Sequence, residues 1–302
     1  MHRLVENLFL CFFESAKDFK RYHGLTMKKD TVVYPPGTIL QRMHLKHRLH
    51  DLIRNHGVRT FIEFGSGDGT LSSLLLSSGL SGRGYDLNPE VCELNRQRNR
   101  AFIESGKYAV LNCNFFESQP EKVDVVISSH VVEHLSVEQE EDYYTMVSRI
   151  AHFVICLVPA GMRYWGIEDE TSGHYHRYSF RDFVEIAGRY NFVIRDMRGL
   201  TFPLSNLLLK MSNHLVAKQE SWKQELSKQE QTKLSPSGGA KKIMFKTHFP
   251  AWLRFFLNRL TMYPFYLLQK IFRRSKRSMV IYCEYGTALQ PALRGLRNET
   301  QN

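Results

Sequence analysis

The stretch that decides the fold is FIEFGSGDGT, residues 61–70. Its apolar start predicts a buried strand, and the glycines that follow let the backbone turn sharply and approach a ligand closely. A glycine-rich turn between a strand and a helix is where α/β folds bind nucleotide-like ligands. The spacing is GxGxG, because Thr70 stands where a dinucleotide fingerprint needs its third glycine, and no Gly-Lys-Ser/Thr run marks a P-loop. The acidic Glu63 beside the loop disfavours a pyrophosphate and suits a ligand with an amine and a sulfonium centre.

Strands and helices alternate along the chain on both sides of this loop. The predicted strands cover residues 60–64, 83–87, 108–112, 123–128, 153–158, 192–197 and 279–285. The predicted helices cover residues 38–55, 69–78, 89–105, 137–150 and 179–190. Such alternation predicts a doubly wound α/β fold, a mostly parallel sheet covered by helices on both faces. Runs such as VDVVIS are typical of strands that are buried on both faces.

The chain divides into four predicted parts, which differ in composition. They are an N-terminal segment over the active site (1–37), the ligand-binding domain (38–198 with 279–290), a helical insertion between the sixth and seventh strands (199–278) and a flexible tail (291–302). Within the insertion, residues 217–242 are polar and are interpreted as a solvated helix end or a linker. The insertion as a whole is interpreted as a cap on the sheet.

Composition narrows the class of protein without choosing a substrate. The 302 residues are 43% hydrophobic and carry a net charge of +11, which favours anionic partners. The five cysteines include no CxxC pair, so a zinc site or a disulfide framework is not expected, and a reducing compartment fits best. The start of the chain makes a poor secretory signal, and no run of about 18 apolar residues exists. We expect a cytoplasmic protein, with peripheral attachment to the inner face of the membrane left open.

Three further segments follow the ends of the second, third and fourth strands. They are GYDLN (84–88), NCNF (112–115) and SSHVVEHL (128–135). Ligands of open α/β sheets bind outside the carboxyl ends of the strands, so these segments should meet the glycine loop at one edge. A carboxylate at Asp86, the end of the second strand, is placed to accept both hydroxyls of a ribose.

Together these motifs resemble those of class I S-adenosylmethionine-dependent methyltransferases, over roughly residues 38–198 and the last strand. The SSHVVEHL segment looks like the branch that contains ubiquinone-pathway O-methyltransferases and many unassigned bacterial enzymes. The resemblance implies a Rossmann-like methyltransferase fold of seven strands, with an antiparallel last strand, and S-adenosyl-L-methionine as the cofactor.

The resemblance also assigns the cofactor residues. Those at the methionine end are Glu63, Gly65, Ser66 and Gly67. Asp86 would hold the ribose, with Leu87 packing on the adenine. Those at the adenine edge and the opposite side are Asn114, Phe115, Ser129 and His130. Family members usually have Asp at the position of Asn114, but an amide oxygen can still accept a hydrogen bond from the adenine amine.

Candidate catalytic residues follow the fourth and fifth strands. They are His130, Glu133, His134, His174 and His176. Methyl transfer to a hydroxyl needs a positioned acceptor and removal of a proton, and histidine titrates in the useful range. A structural alternative stays open: Glu133 and His134 would then make local hydrogen bonds at a helix start, and the second histidine pair would belong to a packed loop. We expect no metal, since the spacing of His174 and His176 brings no third or fourth ligand with it.

Residues 251–278 form the second unusual stretch, because they contain basic and aromatic side chains and no acid. The cations are Arg254, Arg259, Lys270, Arg273, Arg274, Lys276 and Arg277. Aromatics between them are typical of a helix that lies on an anionic membrane surface. Two alternatives stay open, namely a cap whose apolar face covers the active site, and an RNA-binding surface.

Three functions therefore compete. The leading hypothesis is a methyltransferase for a small-molecule or lipid-like acceptor, most simply through oxygen. The alternatives are an RNA methyltransferase and a non-catalytic binding protein on the same fold, the last disfavoured by the intact glycine loop and Asp86. No DPPY or NPPY motif follows the fourth strand, which argues against methylation of adenine or glutamine nitrogens. The sequence does not define the acceptor or the oligomeric state.

Overall fold

The computed structural model describes residues 33–209, 214, 227–233 and 251–289. The seven strands are β1 (Thr60–Phe64), β2 (Ser81–Asp86), β3 (Tyr108–Asn112), β4 (Val123–Ser129), β5 (Ala151–Pro159), β6 (Val193–Leu200) and β7 (Val280–Gly286). They form one sheet of order β3-β2-β1-β4-β5-β7-β6. The first five strands pair in parallel, and β7 runs antiparallel between β5 and β6. This confirms the predicted doubly wound sheet and its antiparallel last strand.

Nine helices with defined bounds accompany the sheet in the described part of the chain. They are α1 (Pro36–Asn55), α2 (Thr70–Ser77), α3 (Pro89–Arg98), α4 (Arg100–Glu104), α5 (Val137–Ile150), α6 (Ile167–Ser172), α7 (Phe180–Arg189), α8 (Lys228–Lys233) and α9 (Tyr263–Ile271). Each face of the sheet has its own apolar core. One packs β-strand residues against α5 and α7, and the other packs them against α1 and α2. Side chains of β4 point alternately into the two cores, as the run of apolar residues predicts.

The predicted long helix over residues 89–105 is wrong as a single element, because it breaks at Asn99. The Asn99 side chain is buried and donates to the carbonyl oxygen of Gly69 at 3.0 Å and to Oδ1 of Asn95 at 2.8 Å. The break therefore ties the start of α4 to the glycine loop. The second strand also begins two residues earlier than predicted, at Ser81.

Helix α1 is fastened across one face of the sheet by an ion pair. Nε and Nη2 of Arg48 donate to the two carboxylate oxygens of Glu284 in β7, at 2.9 and 2.7 Å. Because the guanidinium and the carboxylate meet in this two-point geometry, the rotation of the helix is fixed as well as its position. This places Gln41, near the start of α1, beside the end of β4.

The insertion between β6 and β7 is described only in part. Residues 204–209 are helical, and α9 packs on α1 through Met262 and Tyr266. The polar stretch predicted as a solvated helix end or a linker contains α8, which packs beside α6. There the buried Gln231 contradicts a fully solvated segment. The predictions for residues 1–32, 210–213, 215–226, 234–250 and 290–302 lie outside the described residues. Within the described chain, the helices are all too short or too polar to span a bilayer.

Candidate active site

The glycine loop leaves β1 at Phe64 and enters α2 at Thr70. Gly65, Gly67 and Gly69 have φ values of +72°, +49° and +75°, which only glycine adopts without strain. The backbone N–H groups of Gly65 and Ser66 both donate to the carbonyl oxygen of Tyr85, each at 2.9 Å. A Cβ atom on Gly65 would clash with the side chain of Val131, in the loop after β4. The glycine loop therefore lies directly against the SSHVVEHL segment.

Asp86 ends β2 beside this loop, with its carboxylate held by the backbone. One oxygen accepts from the N–H of Gly67 at 2.8 Å, and the other accepts from the N–H of Asn88 at 2.9 Å. Burial raises the pKa of Asp86, and these backbone hydrogen bonds oppose the rise. The backbone N–H of Leu87 also contributes a hydrogen bond, and the carboxylate keeps acceptor capacity for a ligand hydroxyl. The neighbouring Leu87 is 69% exposed and offers the apolar surface predicted for the adenine.

Glu63 lies beneath the loop and is almost completely buried. Its carboxylate accepts a hydrogen bond from Oγ of Ser72 at 2.5 Å, and that hydroxyl also meets the Tyr108 hydroxyl at 2.7 Å. Burial, with a smaller contribution from the nearby acidic residues, raises the pKa of Glu63 to about 8. The site thus has a deficit of positive charge, which a ligand carrying an amine and a sulfonium would fill.

Three predicted cofactor residues turn their side chains elsewhere. Oγ of Ser66 accepts from Nδ2 of Asn95 at 3.2 Å, so the Ser66 side chain is turned toward α3 and only its backbone is left for a ligand. The ring of Phe115 is buried among core aromatics, 5.0 Å from the Phe64 ring. Asn114 uses its amide locally, accepting from the N–H of Phe116 and donating to Glu117. Its amide oxygen keeps one lone pair for an adenine amine. Ser129 is half-buried at the end of β4.

His130 and Glu133 lie in the turn that follows β4. His130 has a φ of +57°, a conformation that is rare outside glycine and that clusters at functional sites. Its Nε2 lies 3.0 Å from Oε1 of Gln41, and its Nδ1 lies 3.4 Å from Oε1 of Glu133. The Glu133 side chain is completely buried, and apart from this contact with His130 neither of its oxygens has a hydrogen-bond partner among the described residues.

Two more histidines complete the cluster around Glu133. The rings of His134 and His174 meet edge to face at 4.6 Å, and one donor atom each from Glu133, His134 and His174 lies within 4.8 Å of the others. The structure thus supplies the additional donors near His174 that its spacing with His176 had not suggested. His176 itself packs on Tyr178, with ring centroids 4.1 Å apart.

The electrostatics of the cluster favour a charged Glu133 carboxylate beside a neutral His134 ring. Burial acts to raise the pKa of Glu133, but His130, His134 and His174 outweigh it and hold the pKa below its usual value. Burial lowers the pKa of His134 to about 4, so that ring is neutral at pH 7. Glu133 is therefore an ionised carboxylate in a buried place, and the polar side chains described around it are those of the histidines.

Three residues at the site were missed by the sequence analysis. Oδ1 of the buried Asp169 faces Nδ1 of His174 at 2.8 Å and accepts from Nε of Arg177 at 2.7 Å, which orients the His174 ring. Nζ of Lys228 donates to the carbonyl oxygen of His174 at 3.0 Å. Gln41 holds His130 from α1. Asp169 stands among other acids in EDE (168–170), and the other two come from distant segments, so no local pattern singles them out.

Comparison with known proteins finds a family model that matches part of the chain. Residues 62–155 match the family model described as a methyltransferase domain, and that range contains the glycine loop, Asp86 and the cluster after β4. No curated protein matches the chain.

Three solved structures that are similar to the chain are methyltransferases by description. A putative sarcosine dimethylglycine methyltransferase from Galdieria sulphuraria is 11% identical, with 81% of this chain and 85% of that chain covered and a TM-score of 0.49. Magnesium protoporphyrin IX methyltransferase from Synechocystis PCC 6803, with bound SAH, is 15% identical, with coverages of 55% and 78% and a TM-score of 0.46. A putative RNA methyltransferase from Pyrococcus horikoshii is 17% identical, with coverages of 51% and 68% and a TM-score of 0.38.

The strand order, the GxGxG loop and the backbone-held carboxylate at the end of β2 define an α/β enzyme that binds an adenosine-containing cofactor. The match over residues 62–155 makes this region a methyltransferase domain, with S-adenosylmethionine as its cofactor. The residues fit that cofactor. Asp86 has lone pairs left for a ribose, Leu87 is exposed for a base, and the buried carboxyl of Glu63 lacks the positive charge that the methionine end would supply.

Proposed function

We propose that the enzyme methylates a hydroxyl oxygen of a small-molecule or lipid-like acceptor, bound beside Glu133. The observation that carries the proposal is the Glu133 carboxylate, which is completely buried and which, apart from the 3.4 Å contact with His130, accepts no hydrogen bond from the described residues. Leaving a buried charged group unpaired costs several kcal/mol, on the order of 3–5 in measured cases. A hydroxyl group is a donor of the right kind to relieve that cost, and it is also a nucleophile once its proton is withdrawn.

The position of the cluster supports transfer from the cofactor site. Val131 contacts Gly65, so the turn that carries His130 and Glu133 lies against the loop predicted to hold the methionine end. S-adenosylmethionine, when bound, supplies a methyl group on a positively charged sulfur. Glu133 and its histidine neighbours would orient the acceptor oxygen toward that methyl carbon and would take up the hydroxyl proton that the transfer releases. Orientation of the acceptor is the larger part of such catalysis.

His174 and His134 each offer a ring nitrogen that could receive that proton. Since its Nδ1 faces the Asp169 carboxylate, His174 carries a proton there, which leaves Nε2 as the ring atom able to accept another. His134 is neutral at pH 7 and also has one acceptor nitrogen. Because His176 lies against Tyr178 and outside this cluster, we do not assign it a role in proton transfer.

A second way of activating the hydroxyl is favoured by the same geometry. Glu133, His134 and His174 present donor atoms within 4.8 Å of one another, and carboxylates and imidazoles are common ligands of divalent metal ions. Asp169 would then act as the carboxylate that orients a histidine ligand. A divalent cation held there would lower the pKa of a bound hydroxyl, so the cluster would not need to be a strong base.

The acceptor is sought by incubating the purified enzyme and S-adenosylmethionine with lipid and polar extracts. Mass spectrometry should reveal products heavier by one CH₂ group and fragments that place the methyl on oxygen. Products methylated on nitrogen or carbon, or methylated RNA in a parallel incubation, would contradict the proposal. Repeating the incubation after chelation separates the two mechanisms. Loss of activity that a divalent cation restores supports the metal version, and unchanged activity supports direct proton transfer.

The variant that tests the cluster is Glu133→Gln. Turnover should fall by about 100-fold or more, the contribution typical of positioned acid–base groups, while affinity for S-adenosylhomocysteine stays unchanged. The matched control is Glu185→Gln on α7, whose carboxylate is solvent-exposed and only pairs with Arg181. Full activity of Glu133→Gln on the true acceptor would show that the buried carboxylate has no part in the reaction.

A further inference from the structure

A set of large apolar side chains between residues 252 and 272 lies exposed to solvent. The set consists of Trp252, Phe255, Phe256, Leu260, Phe265, Ile271 and Phe272. Phe255 and Ile271 are 77% and 75% exposed, in contrast to ordinary core residues of the same types. Single exposed apolar residues need no explanation, but a group of this size within one segment marks an interaction surface.

The segment that carries these side chains is held firmly on the enzyme. Met262, directly before α9, and Tyr266 on α9 are buried against Leu40 and Met43 of α1. Gln269 is also buried, and its amide bridges the N–H of Thr201 and the carbonyl oxygen of Leu40. A cap over the active site would bury the aromatics of this segment. Of Trp252, Phe255, Phe256, Phe265, Tyr266 and Phe272, only Tyr266 is buried, so the exposed side faces outward from an anchored helix.

The same segment carries exposed positive charge. The exposed cations are Arg254, Arg259, Arg273, Arg274, Lys276 and Arg277. No acidic residue occurs between positions 251 and 278, and none of the six forms an ion pair with an acid of the described chain. Arg273 and Arg274 also line a cavity of about 510 Å³ at the β6 edge of the sheet. The surface thus complements a partner that is both apolar and anionic.

We propose that residues 252–277 form a docking surface for anionic lipid bilayers. Aromatic side chains favour the head-group layer, and Lys and Arg are attracted to anionic lipid at its surface. The exposed aliphatic residues Leu260 and Ile271 distinguish this partner from RNA, because they can enter the acyl region of a bilayer but cannot stack on bases as aromatic rings do. The proposal does not rest on the proposed function, since docking requires no methyl transfer.

The docking surface and the candidate active site are joined through α1. Leu40 and Met43 pack on α9, and Gln41 of the same helix meets His130 at 3.0 Å. An enzyme seated on the bilayer would therefore hold the wall of its active site one helix away from the lipid. This arrangement suits delivery of an amphipathic acceptor from the membrane surface.

The experiment is flotation of the full-length enzyme with vesicles of phosphatidylcholine alone or mixed with phosphatidylglycerol. We expect the protein to float with the anionic vesicles at low salt, to remain at the bottom with the neutral ones, and to be released as salt screens the charges. Absence of flotation with anionic vesicles at low salt would overturn the proposal.

Two variants separate a built surface from the net charge of the chain. Arg273, Arg274, Lys276 and Arg277 are changed together to Gln, and the charge-matched control changes the exposed Arg100, Lys107, Lys122 and Arg181. Binding should fall by roughly 25-fold or more in the first variant and by little in the control. Equal losses in both would show attraction by overall charge and no docking surface. Unchanged thermal unfolding and S-adenosylhomocysteine affinity confirm that both variants fold.

A third variant distinguishes lipid from nucleic acid. Changing Leu260 and Ile271 to Ser should weaken vesicle binding several-fold, because it removes aliphatic groups that enter the bilayer. Its binding to a single-stranded RNA, measured at the same ionic strength, should equal that of the wild type. If the enzyme binds RNA more tightly than anionic vesicles, and this variant floats as the wild type does, the surface is a nucleic-acid site and the proposal fails.

Discussion

Two carboxylates on either side of the glycine loop are treated in opposite ways by the fold. Asp86, on the cofactor side, receives a backbone N–H at each oxygen. Glu133, on the side proposed to bind the acceptor, is buried more deeply and, apart from the 3.4 Å contact with His130, receives no hydrogen bond from the described residues. The first is fixed in place before any ligand arrives. The Glu133 carboxylate still lacks a full set of polar partners, and a proton, a cation or an acceptor hydroxyl would supply one.

The difference shows how the two halves of the site are stabilised. The residues around Asp86 are held in place before a ligand binds. The loop N–H groups donate to the carbonyl oxygen of Tyr85, and the Asn99 side chain donates to the carbonyl oxygen of Gly69. Around Glu133, the polar groups are histidine side chains and a strained backbone at His130. Strain and unsatisfied polar groups of this kind persist where the surrounding structure forces them, and they collect at functional sites.

The largest expected effect is a loss of cofactor affinity, caused by a substitution where the glycine loop meets Val131. Gly65→Val places a branched side chain where Val131 already lies, at a φ of +72°. We expect affinity for S-adenosylhomocysteine, measured by titration calorimetry, to fall by at least about 100-fold, because the loop must move away from the ligand.

The chain offers a control that separates strain from space. Gly57 has a φ of +68°, but a Cβ atom there would meet nothing within 4 Å. Gly57→Val should therefore lose about 1–3 kcal/mol of stability through backbone strain and keep its cofactor affinity. If both variants lose affinity equally, the close contact of the loop with Val131 is not what the ligand depends on.

A smaller effect is expected at Asp86 itself. Asp86→Ala removes both the ribose acceptor and the partner of the Gly67 N–H, and charge-assisted hydrogen bonds are worth about 1.5–3 kcal/mol. Affinity for S-adenosylhomocysteine should fall by about 10- to 150-fold, and Asp86→Asn, which keeps one acceptor oxygen, should lie between. The exposed Asp142→Ala on α5 is the control. Wild-type affinity in Asp86→Ala would mean that the ribose binds elsewhere.

The same comparison explains what the sequence could predict. The cofactor side was predictable because its residues lie in short, ordered motifs at strand ends, and local spacing alone places Gly65 and Asp86 together. The acceptor side is assembled from three distant segments, so only the structure brings His174 to Glu133 and Gln41 to His130. Side-chain direction was also beyond the pattern. Phe115 and His176 follow the third and fifth strands as predicted, yet the Phe115 ring turns into the core and the His176 ring packs on Tyr178.

The last prediction concerns protein stability and a third carboxyl, Glu63, which shares the burial of Glu133 but has a hydrogen-bond donor in Ser72. Burial raises its pKa to about 8 in the folded state, whereas the ordinary value is 4.5. The folded protein therefore holds a proton that the unfolded chain releases. The stability from this group is full below pH 4.5 and is lost as pH rises from there to about 8.

Glu63→Gln removes that titration and keeps an oxygen for the Ser72 hydroxyl. Thermal unfolding between pH 5 and 8 should show the wild type losing stability relative to the variant as pH rises, by on the order of 2–4 kcal/mol at the upper end. Glu93→Gln, a change at an exposed carboxylate, should run parallel to the wild type. Saturating S-adenosylmethionine should flatten the wild-type curve, because its positive charge favours ionised Glu63. Parallel wild-type and Glu63→Gln curves without cofactor would show that Glu63 is already ionised, and the charge deficit inferred beneath the loop would not exist.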